Sequence, residues 1–391
     1  MKKLLPCAIC IVLCTLSGFS QKNSALLDSS KALSARGQYL SAFRKLEESE
    51  NAGVDMIVAA ASLINNHHNG YTINMDQWKL EDYVNGKLVA GEFVKIPLEN
   101  VLWSAAAQFP SDCRIHKEIY AMYVSVLKTR GDYLEVAQMN VLGKAIEEQL
   151  RPQCPDYRNN YITGYCNIAA GNTQAAINNL QKAIAGNAQF APAHLQLGKA
   201  YLLTNNLPGA LKELKTASEL SDDNYWVKSK AALLTGQAYE AANENSKALN
   251  SYLLADSLHR KEFFNQQALL NFYVKTNDAR APQMLKSFIG AQGRESLHIY
   301  MDALDIYQKY NRTMDLALYC QKVLPDYKGY PDIEGSLNFT LGIIYQTINA
   351  DMARQYFKKA KELGLNAQKY QPTRNHPLTA KRIEEGYKWA G

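Results

Sequence analysis

The sequence predicts an all-α fold, a solenoid of helix hairpins stacked one on the next, with a small irregular or β-hairpin insertion near residues 67–97. Three observations carry this. In AHLQLGKAYLLTNNLPGALKELKTA, residues 193–217, the apolar positions follow a helical period, stop at Asn205-Asn206, and resume. The landmarks Leu197-Gly198, Tyr201, Ala210, Leu214 and Ala217 recur: 34 residues earlier stand Gly164, Ala176, Leu180 and Ala183, and 38 residues later Gly236, Tyr239, Ala248, Tyr252 and Ala255. Each first stretch also ends at a turn residue, in the run Ala170-Gly171-Asn172, at Asn205-Asn206 and at Asn243, where Asn tolerates a left-handed backbone.

The elements follow in chain order. MKKLLPCAICIVLCTLSGFS has two lysines, an apolar run from Leu4 to Leu16, and small residues up to Ser20. That is the layout of a secretory signal peptide spanning residues 1–20, cleaved after about Ser20, and its apolar run is short for a bilayer span. The chain is therefore expected to be exported to the periplasm or cell envelope. No later segment reads as a transmembrane helix. Residues 21–112 read as degenerate helical repeats, with Gly37, Ala42 and Leu46 in the repeat's small and large positions. Within them, residues 67–97 lose the helical period, and Asn85-Gly86, flanked by Tyr83-Val84 and Leu88-Val89, gives a two-residue hairpin signal.

From Cys113 to residue 375 the array is continuous. EIYAMYVSVLKTRGDYLEVAQMNVLGKAI supplies the Gly131-Asp132 turn and Ala137. The units between Tyr157 and Asp256 are the clearest, and SLNFTLGIIYQTINADMARQYFKKAKEL matches them with Gly342, Tyr345, Ala353, Phe357 and Ala360, one residue short in its turn. Between these lie two degenerate units, with Leu270 and Leu304 in place of the glycine and Pro282 in place of a small residue. Residues 376–391 read as a capping helix whose charged residues cover the last exposed seam. The 34-residue period with this pattern resembles the tetratricopeptide repeat family. The resemblance implies a right-handed α-solenoid and a concave surface, lined by the first helix of each pair, that holds a protein or peptide.

The cysteines carry a separate expectation. Cys113 precedes one helical pattern of a hairpin and Cys154 follows its partner, so the two thiols can meet at one end of the pair. The pattern equally allows two separate thiols. Cys166 and Cys320 fall on packing faces and read as small buried hydrophobes.

Little in the sequence carries chemistry. Hydrophobic residues make up 47% and charged residues 20%, the composition of a core-forming soluble chain. Without the leader, 41 basic residues face 37 acidic ones with no dense basic run, which argues against nucleic acid as a partner. There is no phosphate loop, metalloprotease helix, nucleophile elbow or calcium loop, and His67-His68 lacks the spacing of a metal site. The expectation is a non-catalytic scaffold with no cofactor and no metal. Carrying the family's groove positions onto this chain gives Arg158, Tyr161, Tyr165 and Lys199, then Gln237, Asn271, Lys275, Asp305 and Gln308. Leu195 and Leu233 stand where some family members use polar residues to clamp a C-terminal carboxylate. An alternative is an exported glycan-binding repeat protein, with Tyr71, Trp78 and Tyr83 of the insertion stacking on sugar rings.

Overall fold

The computed structural model describes residues 21–49, 53–66, 71–73, 94–96, 98–130, 136–221, 224–292, 297–369 and 379–391. The expected leader, the Gly131-Asp132 turn, His67-His68 and the Asn85-Gly86 turn lie outside them. Contacts divide the chain into two compact units, up to Ala200 and from Tyr201 onward.

The first unit holds α1 (Gln21–Ala35), α2 (Tyr39–Glu47), α3 (Val54–Asn66), α4 (Leu98–Gln108), α5 (Cys113–Arg130), α6 (Val136–Ala145), α7 (Tyr157–Ala169) and α8 (Thr173–Gly186). α9 (Ala191–Leu203) crosses the division. Two short strands, β1 (Tyr71–Ile73) and β2 (Val94–Ile96), pair between α3 and α4. They run parallel, Tyr71 opposite Val94, so these two strands are not the arms of a hairpin, and no β-hairpin is seen among the described residues. A parallel pair cannot be closed by a two-residue turn, and Tyr71 and Val94 stand 23 positions apart in the chain.

The second unit holds α10 (Leu207–Glu219), α11 (Tyr225–Ala241), α12 (Asn245–Leu258), α13 (Phe263–Lys275), α14 (Ala281–Gln292), α15 (Leu297–Lys309), α16 (Thr313–Val323), α17 (Pro331–Tyr345), α18 (Ala350–Glu362) and α19 (Thr379–Ala390). Successive helices pack as antiparallel hairpins, and α13, α15 and α17 also pack first helix on first helix. This is tetratricopeptide-like stacking of an all-α repeat.

One turn is used repeatedly. Gly37, Gly171, Asn205, Asn243, Asn277 and Asn311 all have positive φ, between 55° and 80°. At each, the next residue's N–H reaches back five residues to a carbonyl, as Asn206 does to Tyr201 (2.8 Å) and Arg312 to Tyr307 (2.8 Å). That bond closes the first helix and sets the angle of the second. The α17–α18 turn uses a shorter bond, Asn349 to Tyr345 (2.8 Å).

The glycines and large residues of the pattern then interlock. A Cβ on Gly164 would lie 2.7 Å from Leu180, on Gly236 2.5 Å from Tyr252, and on Gly342 2.8 Å from Phe357. The glycine thus makes room for the bulky residue of the second helix, sixteen positions on, or fifteen where the turn is shorter. The degenerate units solve the same problem differently. In α14 the register slides by one, so Ala281 (2% exposed) and Leu285 (0%) pack inward. Pro282 is left exposed in the first turn, where a missing N–H costs nothing. In α15–α16 the sizes exchange: Leu304 stands in the glycine position and Cys320 in the bulky one, both buried. Burial pushes the Cys320 thiol, and that of Cys166, up to about 12, so both behave as small hydrophobes.

Cys113 and Cys154 are disulfide-bonded, with Cα atoms 5.4 Å apart. α6 runs on into a wider π-type turn over Ile146–Leu150, where the Arg151 N–H bonds the Ile146 carbonyl (2.9 Å), and the chain then delivers Cys154 to the start of α5. The Tyr120 hydroxyl donates to the Cys154 carbonyl (3.0 Å), tying the same end a second time.

Candidate binding surface

In the second unit, polar side chains of successive first helices meet across the helix boundaries. Lys275 on α13 forms an ion pair with Glu240 on α11 (2.8 Å), and Glu240 also accepts from the Tyr252 hydroxyl (2.6 Å). Burial, reinforced by Glu240, drives the Tyr252 hydroxyl's pKa well above its ordinary value, which keeps it a donor. Asn271 on α13 accepts from the Tyr310 hydroxyl just past α15 (3.1 Å). Asp305 on α15 accepts from Arg382 on α19 (2.7 Å). Gln237 and Gln308 are exposed, each three positions along its helix from Glu240 and Asp305 respectively. The expected residues of this unit therefore share one face, with Lys275 and Asp305 each remaining more than a third exposed. Glu240 and Tyr310, which position two of them, were not singled out by the sequence, and Arg382 was expected only among the charged residues covering the last seam. The signal of Glu240 and Tyr310 is the offset to the next repeat, visible only once the register of each hairpin is known.

Beneath that face lies a buried charge pair. Lys230 on α11 meets Glu262 (3.3 Å) and sits 4.4 Å above the Phe264 ring. Asn265, 1% exposed, donates to Ser229 Oγ (2.8 Å) and to the Ala255 carbonyl (3.0 Å). Glu262 also accepts from the Asn265 N–H at the start of α13 (2.9 Å), the condition under which buried charge is tolerated. The pair fixes one first helix against the next.

In the first unit the expected residues divide. Tyr161 (1% exposed) and Tyr165 (4%) are core residues, which corrects their assignment to a groove surface. Tyr161 packs edge-on against Phe190 (5.1 Å) and Tyr165 (6.2 Å). Lys199 is half-buried. Arg158 is held by Asp156 (2.9 Å) and its guanidinium lies over the Tyr157 and Tyr120 rings. Asp156 also caps α7, accepting from the Arg158 N–H (2.9 Å). Burial raises the Asp156 carboxyl, but the Arg158 hydrogen bonds outweigh it and the net shift is downward. Asp156→Ala is expected to cost about 1–2 kcal/mol at pH 7, and Asp156→Asn less, since an amide oxygen still caps the helix. The advantage of Asp156 over Asn should be full above the unfolded carboxylate range, near pH 4. It should vanish as pH falls through the depressed native value. Denaturant melts at pH 7 and pH 2.5 check this, and a pH-independent difference would contradict it.

The first unit also carries an open cleft of about 730 Å³ between α4, α5 and α6. Glu99, Trp103, His116 and Tyr123 line it. Trp103 Nε1 donates to the Tyr123 hydroxyl (2.8 Å), which donates to Glu99 (2.6 Å). Burial lowers the His116 pKa, against a nearby Asp112, which favours the neutral ring. Tyr71 lies in β1, while Trp78 and Tyr83 fall outside the described residues. Among the described residues no His, Cys, Asp and Glu cluster fits a metal ion, and no helix is long and apolar enough to cross a membrane.

The comparisons with known proteins agree with the repeat geometry in its clearest stretch. Residues 167–233, from within α7 into α11, match the family model described as tetratricopeptide repeat. No curated protein matches the chain. Among solved structures, it is similar to a tetratricopeptide repeat protein from Parabacteroides merdae ATCC 43184, at 15% identity over 68% of this chain and 98% of that one, TM-score 0.38. It is also similar to a Rap protein complexed with competence and sporulation factor, at 11% identity over 88% and 100%, TM-score 0.49. A third is the Cut9–Hcn1 assembly of the APC/C, at 10% identity over 94% and 64%, TM-score 0.44.

Proposed function

We propose that this protein is an exported, non-catalytic scaffold of the periplasm or cell envelope that binds another protein or a peptide. The binding face is formed by the first helices α11, α13 and α15. One observation carries the reading: these helices display Gln237, Lys275, Asp305 and Gln308 on one face and lock their orientation through Glu240, Asn271 and Tyr310. Side chains held in place before binding lose less entropy when a partner arrives. Tetratricopeptide repeats mediate protein and peptide binding and are generally non-catalytic. Export is supported by the basic start and short apolar run of residues 1–20.

The test uses protein recovered from the envelope fraction, whose first residue is expected to be Gln21. In-place crosslinking should join the wild-type chain to a discrete partner, and the K275E/D305K variant should lose at least nine-tenths of that adduct. A chain recovered with its leader from the cytoplasm would overturn the location. An adduct undiminished by the charge reversals would overturn the face.

A further inference from the structure

α19 reaches further than the end of the array. Its inward side, Thr379, Ile383 and Gly386, is buried against the last hairpin, with Gly386 closely approaching Phe357 and Phe339. The Tyr387 hydroxyl donates to the Leu365 carbonyl (2.8 Å). A helix that only covered the last seam would stop at α17 and α18. α19 also packs on α15, one hairpin further back, and there Arg382 grips Asp305 (2.7 Å), a residue of the proposed binding face. The grip is incomplete: Arg382 Nη1 is buried and has no hydrogen-bond partner among the described residues, so that arm of the guanidinium fork does not engage Asp305.

We propose that α19 is the resident ligand of the first-helix face at Asp305. The partner this face takes is then an amphipathic helix presenting a basic side chain to Asp305, with an apolar residue beside it, and it enters by displacing α19. The inference rests on the reading of that face as a binding surface and names the chemistry of its partner. α19 supplies the template: Arg382 next to Ile383, which is 0% exposed, one charge and one apolar anchor on the same side. Because α19 is covalently attached, it competes at a high effective concentration and lowers the apparent affinity for any partner by the fraction of time it is docked. The unpartnered Nη1 keeps that competition beatable, since a partner that satisfies both arms of its own guanidinium binds the same carboxylate better.

The probe is a fluorescein-labelled synthetic peptide with the sequence of residues 379–391, titrated into the full-length protein. Wild type should bind it weakly. R382A, which removes only the ion pair and leaves the Phe339–Phe357 contacts, should bind it at least fivefold tighter. R382A/D305K should lose that gain, and a peptide carrying Glu in place of Arg382 should restore it. Hydrogen exchange on the wild-type chain is the second measurement, with α19 amides exchanging faster when the peptide is added. Equal affinity of wild type and R382A, or no effect of D305K, would overturn the proposal. Capture of a face-dependent partner together with an indifferent peptide would leave the face a binding surface and remove α19 as its ligand. The expected peptide results without a captured partner would keep the α19 site and remove the scaffold reading.

Discussion

Replacing Cys113 and Cys154 together by serine is expected to lower the stability of the first unit by about 3–4 kcal/mol. The bond closes a span of 41 residues, for which the loss of unfolded-chain freedom is worth about 4 kcal/mol at most. The native geometry gives back little of that. Cys154 is 4% exposed, its carbonyl is held by Tyr120, and the wide turn at Ile146–Leu150 already brings the chain to the start of α5. The serine variant should therefore keep its fold and melt earlier. Wild type in reductant should fall to the same midpoint, while the variant should be insensitive to reductant. Hydrogen exchange should place the loss in α5 to α7 and leave α13 to α18 unchanged, because hairpins in an array are stabilised mainly by their immediate neighbours. Coincident melts of variant and wild type would show that the bond contributes nothing.

What the sequence made legible, and what it hid, follows from how the helices are buried. The hairpins with a glycine and a bulky partner could be read because only a small residue fits at 2.5–2.8 Å from Tyr252 or Phe357. The turns could be read because Asn and Gly are the residues that accept a positive φ. Pro282 was misleading for a local reason: a one-residue slide in register moves the small position to Ala281, and only the packing reveals the slide. The first helices hid their exposed side. α7 buries Asn159 and every residue from Tyr161 to Cys166, and α9 buries Ala191 to Gly198, so the helical period locates the helix without saying which face is free. Tyr161 and Tyr165, carried over as groove positions of the family, belong to the core. The Arg382–Asp305 contact joins residues 77 apart and has no periodic signal at all. At the insertion, the Asn85-Gly86 turn is a local hairpin signal, whereas the pairing of β1 with β2 is set by residues more than twenty positions apart.

The second large effect is expected at Gly236. A methyl group there would lie 2.5 Å from Cδ1 and Cε1 of Tyr252, inside any real carbon–carbon contact. The ring has nowhere to go. It is 2% exposed, packs edge-on against Phe272 at 5.7 Å, and its hydroxyl is fixed by Glu240 at 2.6 Å, which in turn orients Lys275 on the proposed binding face. Overpacking of this kind costs about 1–3 kcal/mol, and alanine's better helix propensity returns about 1 kcal/mol. Gly236→Ala in the wild-type background should therefore destabilise by up to about 2 kcal/mol, measured by denaturant melting. In the Y252A background the ring is gone, and the same substitution should become neutral or stabilising by up to about 1 kcal/mol. This reversal of sign is the diagnostic result, because propensity alone predicts stabilisation in both backgrounds and overpacking predicts a cost only beside the ring. The chain has made the exchange once already. At Leu304 and Cys320 the large residue sits on the first helix and the small one on the second, and both are buried in the same core. At that crossing the bulk can sit on either helix, and G236A fails beside Tyr252 because it adds to one side without subtracting from the other.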